Sequence, residues 1–113
     1  VRLYHFTCSH AAPRIRTARW LVPHPQVVLG GCELIWLTDM DVPERLALGL
    51  TSYTLRCDRT EVRVTVVTAE AKHWPTYART VEPAQRRQLD FADGALPMHW
   101  WVADAPVPVL EVQ

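Results

Sequence analysis

The sequence predicts an α+β fold in one domain spanning residues 1–113, on three observations. Residues 61–68 alternate strictly, with Val62, Val64 and Val66 on one face and Glu61, Arg63 and Thr65 on the other, as in a strand wet on one side. Strand-like runs are grouped and do not alternate regularly with helices. With 113 residues, 49% of them hydrophobic and 21% charged, the chain can build one real core and is too short for two.

Residues 2–7 open the chain as an apolar strand, in which His5 and Thr7 point one way and Tyr4 and Phe6 the other. Ser9 stands where a helix cap belongs, and residues 9–19 read as a short helix with Pro13 in its first turn. Trp20, Leu21 and Val22 form a brief extended piece, after which Pro23, Pro25, Gly30 and Gly31 mark a loop. Residues 33–38 are the second main strand, ending in Thr38 and Asp39.

Pro43 then suits the first turn of a helix over residues 43–48, which Gly49 ends. Residues 51–57 form an extended run, joined through the turn-forming Asp58, Arg59 and Thr60 to the alternating strand in an antiparallel hairpin. Residues 69–88 read as helix in two pieces broken by Pro75 and Pro83, with Trp74 and Tyr77 at the spacing of a core-facing stripe. Residues 99–103 and 107–112 close the fold as two strands, and Pro106 and Pro108 suggest that the last lies at a sheet edge. The tally is about six strands and two to four short helices, without an internal repeat.

Twelve basic and twelve acidic residues balance, which removes the electrostatic argument for sequence-independent binding to nucleic acid or membrane. No apolar run approaches the roughly 20 residues of a membrane helix, and the charged start does not read as a signal peptide. Cys8, Cys32 and Cys57 form no close pair and are expected to be reduced and mostly buried in a cytoplasmic protein. A zinc site is weakly suggested by Cys8 and His10 near His5, without the paired spacing such sites show. Dinucleotide-fold glycine motifs, a Walker loop and a nucleophile elbow are all missing, which argues against the common nucleotide-binding and hydrolase classes.

His5 lies inside an apolar strand, where its imidazole needs hydrogen-bond partners. A core histidine satisfied by a carbonyl explains it, and so does a functional group beside Thr7, facing a second strand that offers Trp36 and Thr38. A cleft between the two strands would then hold an imidazole, hydroxyls and an aromatic plane. In the pair Trp100–Trp101, neighbouring residues of a strand face opposite ways, so one packs in the core and the other lies at a cleft or interface.

The run Tyr4-His5-Phe6-Thr7, a short helix, a loop, then Ile35-Trp36-Leu37-Thr38-Asp39 and another helix resembles the amino-terminal half of the ADP-ribosyltransferase-like proteins. These include the diphtheria-toxin-like and poly-ADP-ribose-polymerase-like enzymes and small bacterial and phage relatives. The resemblance covers about the first 50 residues. It implies a split antiparallel sheet holding NAD as substrate, with transfer of ADP-ribose to a macromolecular acceptor or hydrolysis of NAD. His5 and Thr7 would hold the adenosine ribose, with Phe6 between them, and Trp36 and Thr38 would flank the cofactor. A carboxylate must stabilise the oxocarbenium-like state; Glu61 is the candidate, with Glu111 the other strand carboxylate of the second half.

The chain departs from that family at three places. Phe6 follows the histidine where glycine is common, the second family tyrosine would fall near Leu46 or Ala47, and Glu61 opens a strand as a solvated edge residue would. Arg56, Arg59 and Arg63 border the expected hairpin, where a guanidinium can pair with dinucleotide phosphates, Arg56 being the candidate, or with Asp58 and Glu61. The alternative to an enzyme is a non-catalytic nucleotide- or protein-binding module that keeps the cleft without the carboxylate. Tryptophans near a proline-rich edge also suggest a homo-oligomer contact.

Overall fold

The computed structural model describes residues 1–26, 29–42, 61–91 and 94–113. The expected helix over residues 43–48, the expected strand over residues 51–57, and Arg56 and Arg59 lie outside the described residues.

The described residues build β1 (Arg2–Thr7), α1 (Ala12–Ala18), β2 (Trp20–Leu21), β3 (His24–Gln26), β4 (Cys32–Thr38), β5 (Val62–Val67) and β6 (Lys72–His73). These are followed by α2 (Trp74–Tyr77), a 3-10 turn (Ala78–Thr80), α3 (Pro83–Asp90), a second 3-10 turn (Pro97–His99), β7 (Trp100–Ala103) and β8 (Val107–Val112). The strands form one sheet in the order β2-β8-β5-β1-β4-β7-β6, with β3 added to β4, and every pairing among the described residues is antiparallel. The class is therefore α+β, a sheet with three short α-helices among the described residues.

Proline explains much of the difference from the expected helices. Pro75 and Pro83 do not interrupt a helix; each sits in the first turn of one, α2 and α3, where its missing N–H costs nothing. Lys72–His73 runs extended into α2 as β6 on the outer side of β7, and Glu82, the residue before Pro83, is extended at φ −54° and ψ 133°, as a residue before proline prefers. Ser9 does not cap α1: the cap is Ala11, which makes no side-chain cap hydrogen bond, and the helix ends at Arg19 in the left-handed region with φ 62°.

The loop expected after Val22 contains a strand. Pro25 of β3 pairs with Glu33, and its neighbours His24 and Gln26 pair with Leu34 and Cys32. Nor is β8 an edge strand, because β2 covers its outer side through Trp20↔Pro108 and Leu21↔Val107. The Val109 N–H donates to the Arg19 carbonyl on that side at 3.0 Å. Alternation then turns the Pro108 nitrogen towards β5 just where that strand ends at Val67, so no ladder bond is lost.

β5 lies between β1 and β8, not in a hairpin with the preceding segment. Its Val64 and Val66 face a core made with Leu3, Ile35, Leu37, Val107 and Val109, over which Ile15 of α1 packs. The opposite face is not wet as expected: Thr65 is 1% exposed and Arg63 half-buried. The second face of the sheet carries an aromatic core over β4 and β7. Trp74, fully buried, packs there with Leu34, Ala78, Trp100 and Val102, and its indole N–H donates to Asp90 Oδ1 of α3 at 2.8 Å. Trp74 and Tyr77 are thus core residues, as their spacing predicts.

The thiols depart from expectation. Cys8 is disulfide-bonded, while Cys32 is free and exposed. A disulfide at Cys8 removes that sulfur from any metal set with His5 and His10. No helix among the described residues is long and apolar enough to cross a membrane.

Candidate functional site

β1 and β4 are neighbours, as the opening reading of the chain requires, but they meet narrowly. Among the described residues their register consists of Tyr4↔Thr38. β3 pairs with the far end of the same β4 edge at Cys32, Glu33 and Leu34. Between these two contacts, around Trp36, β4 has no strand ladder on that side among the described residues, and side chains bridge the opening. His5 Nδ1 donates to the Trp36 carbonyl at 2.8 Å. Gln26 donates from Nε2 to the Leu34 carbonyl at 3.2 Å and accepts the Trp36 indole N–H on Oε1 at 3.0 Å.

Because a carbonyl only accepts, Nδ1 of His5 carries a proton. His5 is half-buried and faces Val64 across β5. Thr7, on the same face, is buried opposite Val62, and Phe6 is buried on the other face opposite Arg63.

The register separates the remaining expected residues from His5. Directly opposed residues of an antiparallel pair share a face, so Tyr4↔Thr38 puts Thr38 and Trp36 with Tyr4 and Phe6, away from His5 and Thr7. The Trp36 ring lies against Trp74 at 5.0 Å and Trp100 at 5.8 Å between centroids. Thr38 donates its hydroxyl to the His99 carbonyl at 2.8 Å and accepts the Met40 N–H at 3.1 Å. Both residues therefore act within the fold on the second face, and the aromatic plane expected opposite His5 is not Trp36.

Glu61 is exposed and precedes β5, one position beyond the Thr7↔Val62 pair. It continues the row of Arg63 and Thr65, not the row of Val64 that opposes His5. Arg63 is a structural cation: its guanidinium lies 5.3 Å from the Tyr4 ring centroid, donates to the Asp41 carbonyl at 3.0 Å and bonds Gln113 Oε1. Its Nε is buried without a partner among the described residues.

On the face of His5 the structure gathers groups that the sequence left scattered. Trp101 opposes Leu37, and His73 opposes Trp101, with their rings 4.8 Å apart. The carboxylate of Asp39 is held at both oxygens, by His99 Nδ1 at 2.7 Å and by the Trp101 indole N–H at 3.2 Å. The sequence places Asp39 at the end of one strand and His99 at the start of another, and nothing local to either residue pairs them. The alternation of Trp100 and Trp101 does hold: Trp100 is buried in the aromatic core and Trp101 is half-exposed.

On the second face a cavity of about 140 Å³ is lined by Leu29, Cys32, Tyr77, Val81, Glu82 and Gln85. It is smaller than the roughly 300–1,000 Å³ typical of small-molecule sites, and too small for a dinucleotide. There Cys32 Sγ and the Tyr77 hydroxyl lie 3.5 Å apart. The Tyr77 phenol is pushed up to about 12, first by this hydrogen bond, then by burial and by the charge of Cys32 and Asp104.

In comparisons with known proteins, no family model, curated protein or solved structure matches the chain.

Proposed function

We propose that the chain binds NAD, or a related nucleotide, at the opening between β1 and β4, as an ADP-ribosyltransferase-like protein. The observation that carries this reading is the His5 imidazole standing in the opening with Nδ1–H committed to the Trp36 carbonyl. That bond holds an imidazole, a group that pairs with hydroxyls such as those of a ribose, at the opening. The resemblance of residues 4–7 and 35–39 to the first two strand motifs of that family supports the same ligand. The reaction is transfer of ADP-ribose to a macromolecular acceptor or hydrolysis of NAD, with Glu61 the proposed catalytic carboxylate and Arg56 a proposed phosphate partner.

Titration calorimetry with NAD tests the binding. Heat with the parent protein and none with His5→Ala supports the assignment; no heat with the parent at millimolar NAD ends it. Loss of nicotinamide release in Glu61→Gln tests the catalytic half.

The second reading is a non-catalytic binding module, favoured by the exposed place of Glu61 off the row that faces His5. It predicts NAD binding without nicotinamide release. NAD as substrate fits a cytoplasmic setting, whereas disulfides persist in oxidising compartments, so the oxidation state of Cys8 in cells separates the two settings.

A further inference from the structure

We propose that Asp39 and His99 form a general-base dyad, with His99 accepting the proton of the hydroxyl nucleophile that attacks the ribose; this rests on the NAD reading above. Three features of the geometry support it. The His99 Nδ1–H donates to Asp39 Oδ1 at 2.7 Å, which leaves Nε2 of the neutral ring as the basic nitrogen. The second oxygen of Asp39 is fixed by the Trp101 indole N–H at 3.2 Å, so the carboxylate that orients the imidazole is itself oriented. The His99 backbone is anchored too, its carbonyl accepting from the Thr38 hydroxyl at 2.8 Å and from the Asp39 N–H at 3.3 Å.

A ring held this firmly still meets solvent. The side chains of His99 and Asp39 are 38% and 39% exposed, and His99 Nε2 makes no hydrogen bond among the described residues. The position also fits. The Asp39 carboxylate reaches Trp101, which opposes Leu37, and the Tyr4↔Thr38 register sets Leu37 beside His5. The dyad and His5 therefore share one face of the sheet, on adjoining strands and at neighbouring rungs. Among the described residues His73 is a further titratable group there; it stacks on Trp101 and donates from Nε2 to the Met98 carbonyl at 2.6 Å, so it does not compete for Asp39.

In the proposed step the hydroxyl oxygen forms a bond to the anomeric carbon of the nicotinamide ribose. The bond from that carbon to nicotinamide breaks, its electron pair leaves with neutral nicotinamide, and the hydroxyl proton passes to His99 Nε2. Asp39 and Trp101 are positioning residues, which keep the correct nitrogen outward and stabilise the imidazolium that forms.

The test compares water, methanol and azide as nucleophiles in nicotinamide release from NAD, because azide carries no proton to remove. His99→Gln should lose about 10²- to 10⁴-fold with water and methanol, keep NAD binding, and recover release when azide is added. Asp39→Asn, a near-isosteric second variant, should lose less and shift the acid limb of the pH–rate profile. Equal loss with azide, or unchanged rates with water in both variants, overturns the dyad and leaves the NAD reading intact. Absence of NAD binding or of nicotinamide release in the parent overturns both the catalytic reading and the dyad.

Discussion

Along one edge β1 exchanges register with β5 at six positions, from Arg2↔Val67 to Thr7↔Val62; along the other it meets β4 at Tyr4↔Thr38 and relies on the His5 imidazole for its next bond. Backbone ladders close a sheet to everything but another strand, since every inward N–H and C=O is already paired. Side-chain bridges hold strands together while leaving space and polar groups that a ligand can use. The chemistry-bearing residues collect on the second edge for this reason, and the valines of β5 belong to the first.

This contrast can be broken at either edge, and the closed one should suffer most. Leu3 is fully buried opposite Val66, and Leu3→Ala should cost about 2–5 kcal/mol in urea unfolding. A loss under about 1 kcal/mol would mean that the β1–β5 edge does not hold the core. At the open edge Gln26→Ala leaves the Trp36 indole N–H and the Leu34 carbonyl without their partner, and should cost about 1–3 kcal/mol, measured the same way. His5→Ala should cost about 0.5–1.5 kcal/mol, and on the proposed reading it should also abolish the heat of NAD titration.

The smallest effect is a control on the second face, away from both edges. Cys32→Ala should bring the Tyr77 phenol down from about 12 towards its ordinary range, read from phenolate absorbance during alkaline titration. Since the folded value lies above the unfolded one, the stability Tyr77 contributes is complete below the ordinary tyrosine range and is lost as the pH rises towards 12. In Cys32→Ala that alkaline loss should shrink, and neither NAD binding nor neutral-pH stability should follow it.

Six of the strands were legible, β2 as the brief extended piece at Trp20–Leu21 and the other five because their residues carry the signal themselves. Val62, Val64 and Val66 alternate, and the apolar runs of β1, β4, β7 and β8 stand between turn residues. β3 and β6 were not, since a pair of two or three residues next to Pro25 or Pro75 has no period to detect, and the partner strand makes it extended. The site was legible only in part. His5 could be found from an imidazole in an apolar strand, but the face of Trp36 depends on which residue of β1 meets Thr38. One step of register moves the whole row to the other side. The Asp39–His99 pair joins residues 60 positions apart, and no local pattern announces it.

The packing of Trp36 against Trp74 at 5.0 Å and Trp100 at 5.8 Å, with Trp74 and Trp100 6.3 Å apart, has an optical consequence. Indoles this close share excitation before they emit, so light absorbed by any of the three is read out at the one with the lowest excited state. Trp36 is the member tied to Gln26 in the opening, and a molecule that disturbs that hydrogen bond changes the local field at one ring and the emission of all three. The protein thus carries an indole cluster tied to Gln26 at the opening, and a change in its emission on adding NAD is the signal that the proposed binding there would give.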